Sequence, residues 1–216
     1  MNENHLITPR TARFYTLGKL SESTQNVWIV LHGYGQLAKD FLQLFESIDN
    51  DSNFLIAPEG LNRFYSRHRT QTVVSTWMTS EDRDNEIKDY ITYLDNLYSH
   101  LNLHHSKARI IVLGFSQGVA TASRWINATE NRVDDFVIYA GEIAKELLTP
   151  FSEKIKSLPL IYVTGKSDPL ITREEHLKVY EMMKNLNALI LEFDGGHEVL
   201  HEVVKNIYEN IVLKRA

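Results

Sequence analysis

The run from Arg109 to Val119, R-I-I-V-L-G-F-S-Q-G-V, constrains this chain more than any other stretch. Ile110 to Leu113 is an unbroken aliphatic run, the pattern of a strand buried on both faces of a parallel sheet. It stops at Gly114, and the V-A-T-A-S-R-W-I-N-A beginning at Val119 has the small and apolar spacing of a helix laid back on the sheet. Ser116 falls on the turn between them, where strand and helix pass so closely that only residues without a Cβ fit on either side. Such a turn aims the serine Oγ out of the sheet. With 14 serines and 10 glycines in 216 residues, chance supplies about 0.03 copies of G-x-S-x-G, which favours a nucleophile turn. The plainer alternative is a βα turn punctuated by two glycines, with Ser116 capping the helix.

The rest of the chain repeats strand, loop and helix. Val27 to His32, Asn53 to Pro58, Phe136 to Tyr139, Leu160 to Val163 and Leu189 to Phe193 read as further strands, and Ala12 to Leu20 as an edge strand or hairpin. Helices are expected after Leu37, from Glu81 to about His100, after Ser116, near Ile143 to Leu148, from Arg173 to Asn187 and through Val203, Ile207 and Ile211. Residues 61–80 look irregular. This alternation predicts an α/β fold with a mostly parallel central sheet, helices on both faces and right-handed crossovers. A length of 216 residues without repeat, linker or low-complexity tract predicts one domain over residues 1–216.

Composition narrows the partners. A net charge of −5 with no long basic run offers nucleic acid no electrostatic footprint. Zero cysteines exclude a thiol nucleophile, a disulfide framework and a Cys-bearing zinc site. No stretch approaches the ~20 apolar residues of a membrane span, and no leader pattern opens the chain. The expectation is a cytoplasmic protein, monomer or homodimer, that acts on a small molecule.

A serine hydroxyl needs a base within hydrogen-bond reach and a third group to orient that base. Ligands of such sheets bind beyond the carboxyl ends of the strands, and two candidates follow strand ends: Asp168 after L-I-Y-V-T, and His197 after L-I-L-E-F. Asp194 competes as the acid from the same loop as His197, and Asp168 before Pro169 also reads as a turn residue. An acyl transfer further needs donors for an oxyanion. The backbone amides of Gln117, after the serine, and Tyr34, in the H-G-Y-G that follows the first buried strand, stand in the right places.

H-G-Y-G, A-P-E-G, S-T-W, G-F-S-Q-G, G-K-S-D-P-L-I and G-G-H-E-V together resemble the phospholipase/carboxylesterase family of α/β-hydrolases, which includes acyl-protein thioesterases and small bacterial carboxylesterases. The resemblance runs from about residue 26 to the end. It implies an α/β-hydrolase fold, a triad of Ser116, Asp168 and His197, an oxyanion hole from the amides of Tyr34 and Gln117, and hydrolysis of a small-molecule carboxylic ester without metal or organic cofactor. Thioesterase or lysophospholipase activity, or a noncatalytic hydrolase-fold binding protein, are the alternatives. Val119 stands where the family continues with glycine, narrowing the space behind the serine, and Thr164 stands where H-G-x-x-D is usual.

Residues 61–80 leave the sheet on the same edge as the serine. Phe64, Tyr65, Trp77 and Met78, with Leu170 and Val199 from the neighbouring loops, are expected to wall a substrate pocket. Arg63 and Arg67, near His68 and Arg69, read either as a clamp for an anionic group on the substrate or as the solvated cations of a surface loop.

Overall fold

The computed structural model describes residues 1–66, 71–209 and 213–215. Its strands are β1 (Phe14–Leu17), β2 (Asn26–Leu31), β3 (Asn53–Pro58), β4 (Asn62–Tyr65), β5 (Val73–Thr76), β6 (Arg109–Phe115), β7 (Asp135–Tyr139), β8 (Leu160–Gly165) and β9 (Leu189–Phe193). The helices are α1 (Ala38–Gln43), α2 (Arg83–His100), α3 (Gln117–Ala128), α4 (Glu153–Lys156), α5 (Arg173–Asn185) and α6 (His201–Ile207). Among the described residues the main sheet has seven strands in the order β1-β3-β2-β6-β7-β8-β9. All neighbours are parallel except β1, which runs antiparallel to β3 at the edge.

The strand order explains where a site belongs. From β2 the chain steps one way to β3 and then returns to lay β6 on the other side of β2, so the order reverses at the β2–β6 pair. Loops leaving those two strands part in opposite directions and open a crevice at their carboxyl ends. The loop after β2 carries Gly33 to Gln36, and the loop after β6 carries Ser116.

Packing follows the two-residue period of the strands. In β2, Val27, Ile29 and Leu31 join Tyr90, Leu94, Trp125 and Met183 beneath α2, α3 and α5. Trp28 and Val30 face the other way, against Phe41, Phe45, Val203 and Ile207 of the layer built by α1 and α6. The inner strands β2, β6, β7 and β8, and β3 beside them, are thereby buried on both sides, as their continuous apolar runs require.

The structure departs from expectation over residues 61–80. These residues include a small hairpin in which β4 and β5 pair antiparallel, Asn62 opposite Thr76 and Tyr65 opposite Val73. Both strands are only four residues long, too short for periodicity to reveal. The hairpin is joined to the loop after β2 by an isolated antiparallel bridge between Gln36 and Ser75. The short helix α4 is not among the expected elements, and the helix expected near Ile143 to Leu148 is a single 3-10 turn at Lys145–Leu147.

Candidate active site

Ser116 sits at φ 53° and ψ −119°, a conformation that costs a residue with a side chain about 1–3 kcal/mol. The surroundings hold it there. Its N–H donates to Tyr139 O at 3.0 Å, and its carbonyl accepts from Val119 N–H at 3.0 Å. Three glycines leave the necessary space: a Cβ on Gly114 would lie 2.5 Å from Gly118 O, one on Gly118 would overlap Leu31 O, and one on Gly141 would lie 2.5 Å from Ser116 O. Val119 is fully buried, and its Cγ2 fills the space over Gly141.

His197 Nε2 lies 2.9 Å from Ser116 Oγ, and His197 Nδ1 lies 2.7 Å from Asp168 Oδ2. With Nδ1–H donating to the carboxylate, Nε2 is left as an acceptor for the serine hydroxyl. The Asp168 side chain is 4% exposed and its other oxygen accepts from Leu170 N–H at 2.9 Å. The loops after β8 and β9 are pressed together, since a Cβ on Gly165 would lie 2.6 Å from Gly195 O. Asp194, the competing acid, is 90% exposed and paired with Lys166 Nζ at 2.8 Å, outside this relay.

On the other side of Ser116, Gly33 approaches so closely that a Cβ there would lie 3.2 Å from Ser116 Cβ. The residue that organises this loop is His32, to which the sequence assigns only the end of a strand and the first place in H-G-Y-G. Its ring is fully buried and stacked on Trp77 at 5.1 Å. Nδ1–H donates to Gly33 O at 2.7 Å, and Nε2 accepts from Gly60 N–H at 3.0 Å, with Ser75 Oγ 3.1 Å away. Burial lowers its pKa, opposed by the bond to Gly33 O and by the nearby Glu59 carboxylate, and a neutral ring is what this set of partners needs.

A cavity of about 310 Å³ opens beside the serine, lined by Ser116, His197 and Asp168 together with Ala120, Ala140, Gly141, Glu142, Tyr162, Thr164, Leu170, Ile171 and Glu175. Of the side chains expected to wall a pocket, Leu170 belongs to it. The others do not line it. Trp77 is a core residue donating Nε1–H to His32 O at 2.8 Å, and Val199 is buried in the layer under α6. Phe64 packs on Tyr34 with ring centroids 5.5 Å apart, Tyr65 is exposed, and Met78 packs against the core. The wall comes from loops after β7 and β8, which hydrophobicity along residues 61–80 had no means of revealing.

Arg63 also has a different employment. Its Nε lies 2.9 Å from Glu59 Oε1, the oxygen that Arg13 binds through Nε at 3.0 Å and a terminal nitrogen at 2.6 Å. Glu59 is 1% exposed, so Arg63 serves as counter-ion to a buried carboxylate and is absent from the cavity lining. Arg67, like His68 and Arg69, lies outside the described residues.

The chain is similar to known proteins in sequence and in fold. The chain is 26% identical over 192 residues to MhqD of Bacillus subtilis (strain 168), named only provisionally as a hydrolase, covering 82% of this chain and 88% of that one. The structure of Zea mays acyl-protein thioesterase 2 matches with a TM-score of 0.72 at 18% identity, covering 95% of this chain and 100% of the other. The carboxylesterase of Bacillus cereus matches with a TM-score of 0.63 at 18% identity over 92% of each chain. At these identities the solved structures establish a shared α/β-hydrolase fold. The family model described as serine hydrolase (FSH1) matches residues 23–201. A match of that extent, over a strand order and a serine turn of this kind, makes the chain a member of the FSH1 serine hydrolase family.

Proposed function

We propose that this chain hydrolyses small carboxylic esters through an acyl-enzyme on Ser116. The observation that carries the reading is the continuous relay from Ser116 Oγ through His197 to Asp168, at 2.9 and 2.7 Å. Ser116 Oγ attacks the ester carbonyl carbon while its proton passes to His197 Nε2, and the imidazolium formed is held by the Asp168 carboxylate. The carbonyl electrons move onto oxygen, where the amides of Tyr34 and Gln117 receive the charge. Each such donor contributes roughly 3 kcal/mol to lowering the barrier. Collapse of the tetrahedral intermediate breaks the bond to the alcohol, which leaves with the proton from His197. Water then repeats the sequence against the acyl-serine and releases the acid. No step calls for a metal or an organic cofactor.

The cavity supports a short substrate, and its charge supports a neutral or cationic one: Glu142 and Glu175 line it, with no lysine or arginine among the lining residues. A fluorophosphonate that reacts with activated serines tests the reading, read by mass spectrometry beside turnover of nitrophenyl esters of increasing chain length. The expected result is a Ser116 adduct and fastest turnover of short acyl chains. Neither adduct nor turnover would leave a hydrolase fold used for binding.

A further inference from the structure

We infer that residues 75–78 form a common mount for the two amides assigned to the oxyanion, with the Gln117 side chain as the positioning residue on one side and Ser75 on the other. The inference rests on the ester-hydrolase reading and goes beyond it, because it concerns what sets the distance between two donors carried by separate loops.

Gln117 is the first residue of α3, directly after the serine. Its side chain does not cap the helix but reaches across to the segment that ends the hairpin. Oε1 accepts from Trp77 N–H at 3.2 Å and, at 2.9 Å, from Thr76 Oγ1–H, whose one hydrogen it shares with Met78 O at 3.0 Å, while Nε2–H donates to Met78 O at 2.9 Å. Both ends of the amide are thus spent on three consecutive residues. The loop carrying Tyr34 is fastened to the preceding part of the same segment. Gly35 N–H donates to Ser75 O at 2.9 Å, and Gln36 O accepts from Ser75 N–H at 3.0 Å and from Ser75 Oγ–H at 2.9 Å. Gln36 Oε1 accepts from Gly33 N–H at 2.7 Å, and Trp77 Nε1–H donates to His32 O. The amides on either side of Tyr34 are therefore engaged, and among the described residues neither Tyr34 N–H nor Gln117 N–H has an acceptor.

Ser75, Thr76 and Trp77 are almost fully buried, so solvent does not compete for these bonds. Charge on an oxyanion is stabilised only when both donors stand within about 2.7–3.1 Å of one oxygen, and an error of about 1 Å in such a site costs on the order of a hundredfold. A single buried segment that grips both loops removes that error. The hairpin, which contributes no strand to the main sheet, thereby gains a role in the chemistry.

The test compares Gln117→Met, which keeps the length and loses all three bonds, with Gln117→Glu, which keeps the acceptor for Thr76 and Trp77 and loses the donor to Met78. Gln117→Met is expected to lower kcat by about tenfold to a hundredfold with KM nearly unchanged, and Gln117→Glu to fall between it and the wild type. Amide hydrogen exchange gives a readout independent of turnover: in Gln117→Met, protection of Gly33 and Gly35 on the opposite loop should fall, while that of Leu170 beside Asp168 should not. Thr76→Val removes one bond from the mount itself and covers the case in which Gln117→Met does not fold. Wild-type kcat in Gln117→Met, a loss confined to KM, or unchanged exchange at Gly33 and Gly35 would overturn the mount. If the wild type hydrolyses no ester, the ester-hydrolase reading fails, and the mount stands or falls on the exchange data.

Discussion

The two sides of Ser116 are built by opposite means. On the side of the proton relay, His197 comes from the loop of Gly195 and Gly196 after β9 and Asp168 from the loop after β8, at the end of the sheet, and two side-chain bonds in line complete the arrangement. On the side of the amides, His32, Ser75 and Trp77 are buried and cross-bonded to three separate loops. On the proposed mechanism, the difference follows from what each side does. A base must exchange protons with substrate and water, so it sits near solvent and depends on one correct tautomer. A backbone donor never changes state, so it profits from being immobilised.

If the relay depends on so few contacts, its loss should be steep and should leave the fold alone. Ser116→Ala and His197→Ala are each expected to lower ester kcat by about a thousandfold or more, with thermal melting close to the wild type. Activity within tenfold of wild type in either would break the comparison at its base. Asp168→Asn comes next, with a loss of about a hundredfold or more because the amide favours the wrong tautomer of His197. Asp194→Asn, exposed beside Lys166, should leave kcat within about twofold. A reversal of these two results would assign the acid to the other carboxylate.

The buried side should instead fail through stability. His32→Phe removes the acceptor of Gly60 N–H and the donor to Gly33 O, and is expected to cost about 2–4 kcal/mol in denaturant unfolding. The same residue gives the wild type an acid sensitivity. Burial lowers the His32 pKa, so an unfolded chain takes up a proton as the pH falls through about 6.5 while the folded ring stays neutral. The contribution of His32 is therefore complete above that value and shrinks as the pH falls, until the folded pKa is passed. Unfolding midpoints measured from pH 7.5 to 5 should drop in the wild type and drop less in His32→Phe; parallel slopes would remove His32 as the cause.

The smallest expected effect concerns charge. Against isosteric esters, the cavity acids predict kcat/KM in the order cationic, neutral, anionic, with about threefold to tenfold between the extremes, and Glu142→Gln should compress that range. Arg63→Gln should change turnover of an anionic and a neutral ester by the same factor, since its partner is Glu59. A selective loss for the anionic ester would return Arg63 to substrate binding.

What could be read from sequence was whatever lies within one local pattern. The strand, turn and helix around Ser116 occupy twenty consecutive residues, and the loop positions of Asp168 and His197 follow from the strands just before them. The roles of Trp77 and Arg63 could not be read in that way. Trp77 looks like a pocket aromatic until the chain order brings His32, 45 residues away, beneath its indole N–H. Arg63 looks like a free cation until Glu59 is known to be buried, and the second arginine that holds Glu59 there belongs to the chain before β1. His32 carried a usable signal, a histidine closing an otherwise apolar buried strand, with Gly33 next to it.

Leu170 stands at the mouth of the cavity, 72% exposed, with Ile171 beside it. Neither side chain takes part in the bonds that fix the serine turn or the amides. An inherited change there can enlarge or close the entrance without passing through an inactive ancestor, because a surface side chain is exchanged at little cost in folding. On the ester-hydrolase reading, which ester enters and how it is cut therefore reside in separate residues, the first on the rim at Leu170 and Ile171, the second at Ser116, His197 and Asp168.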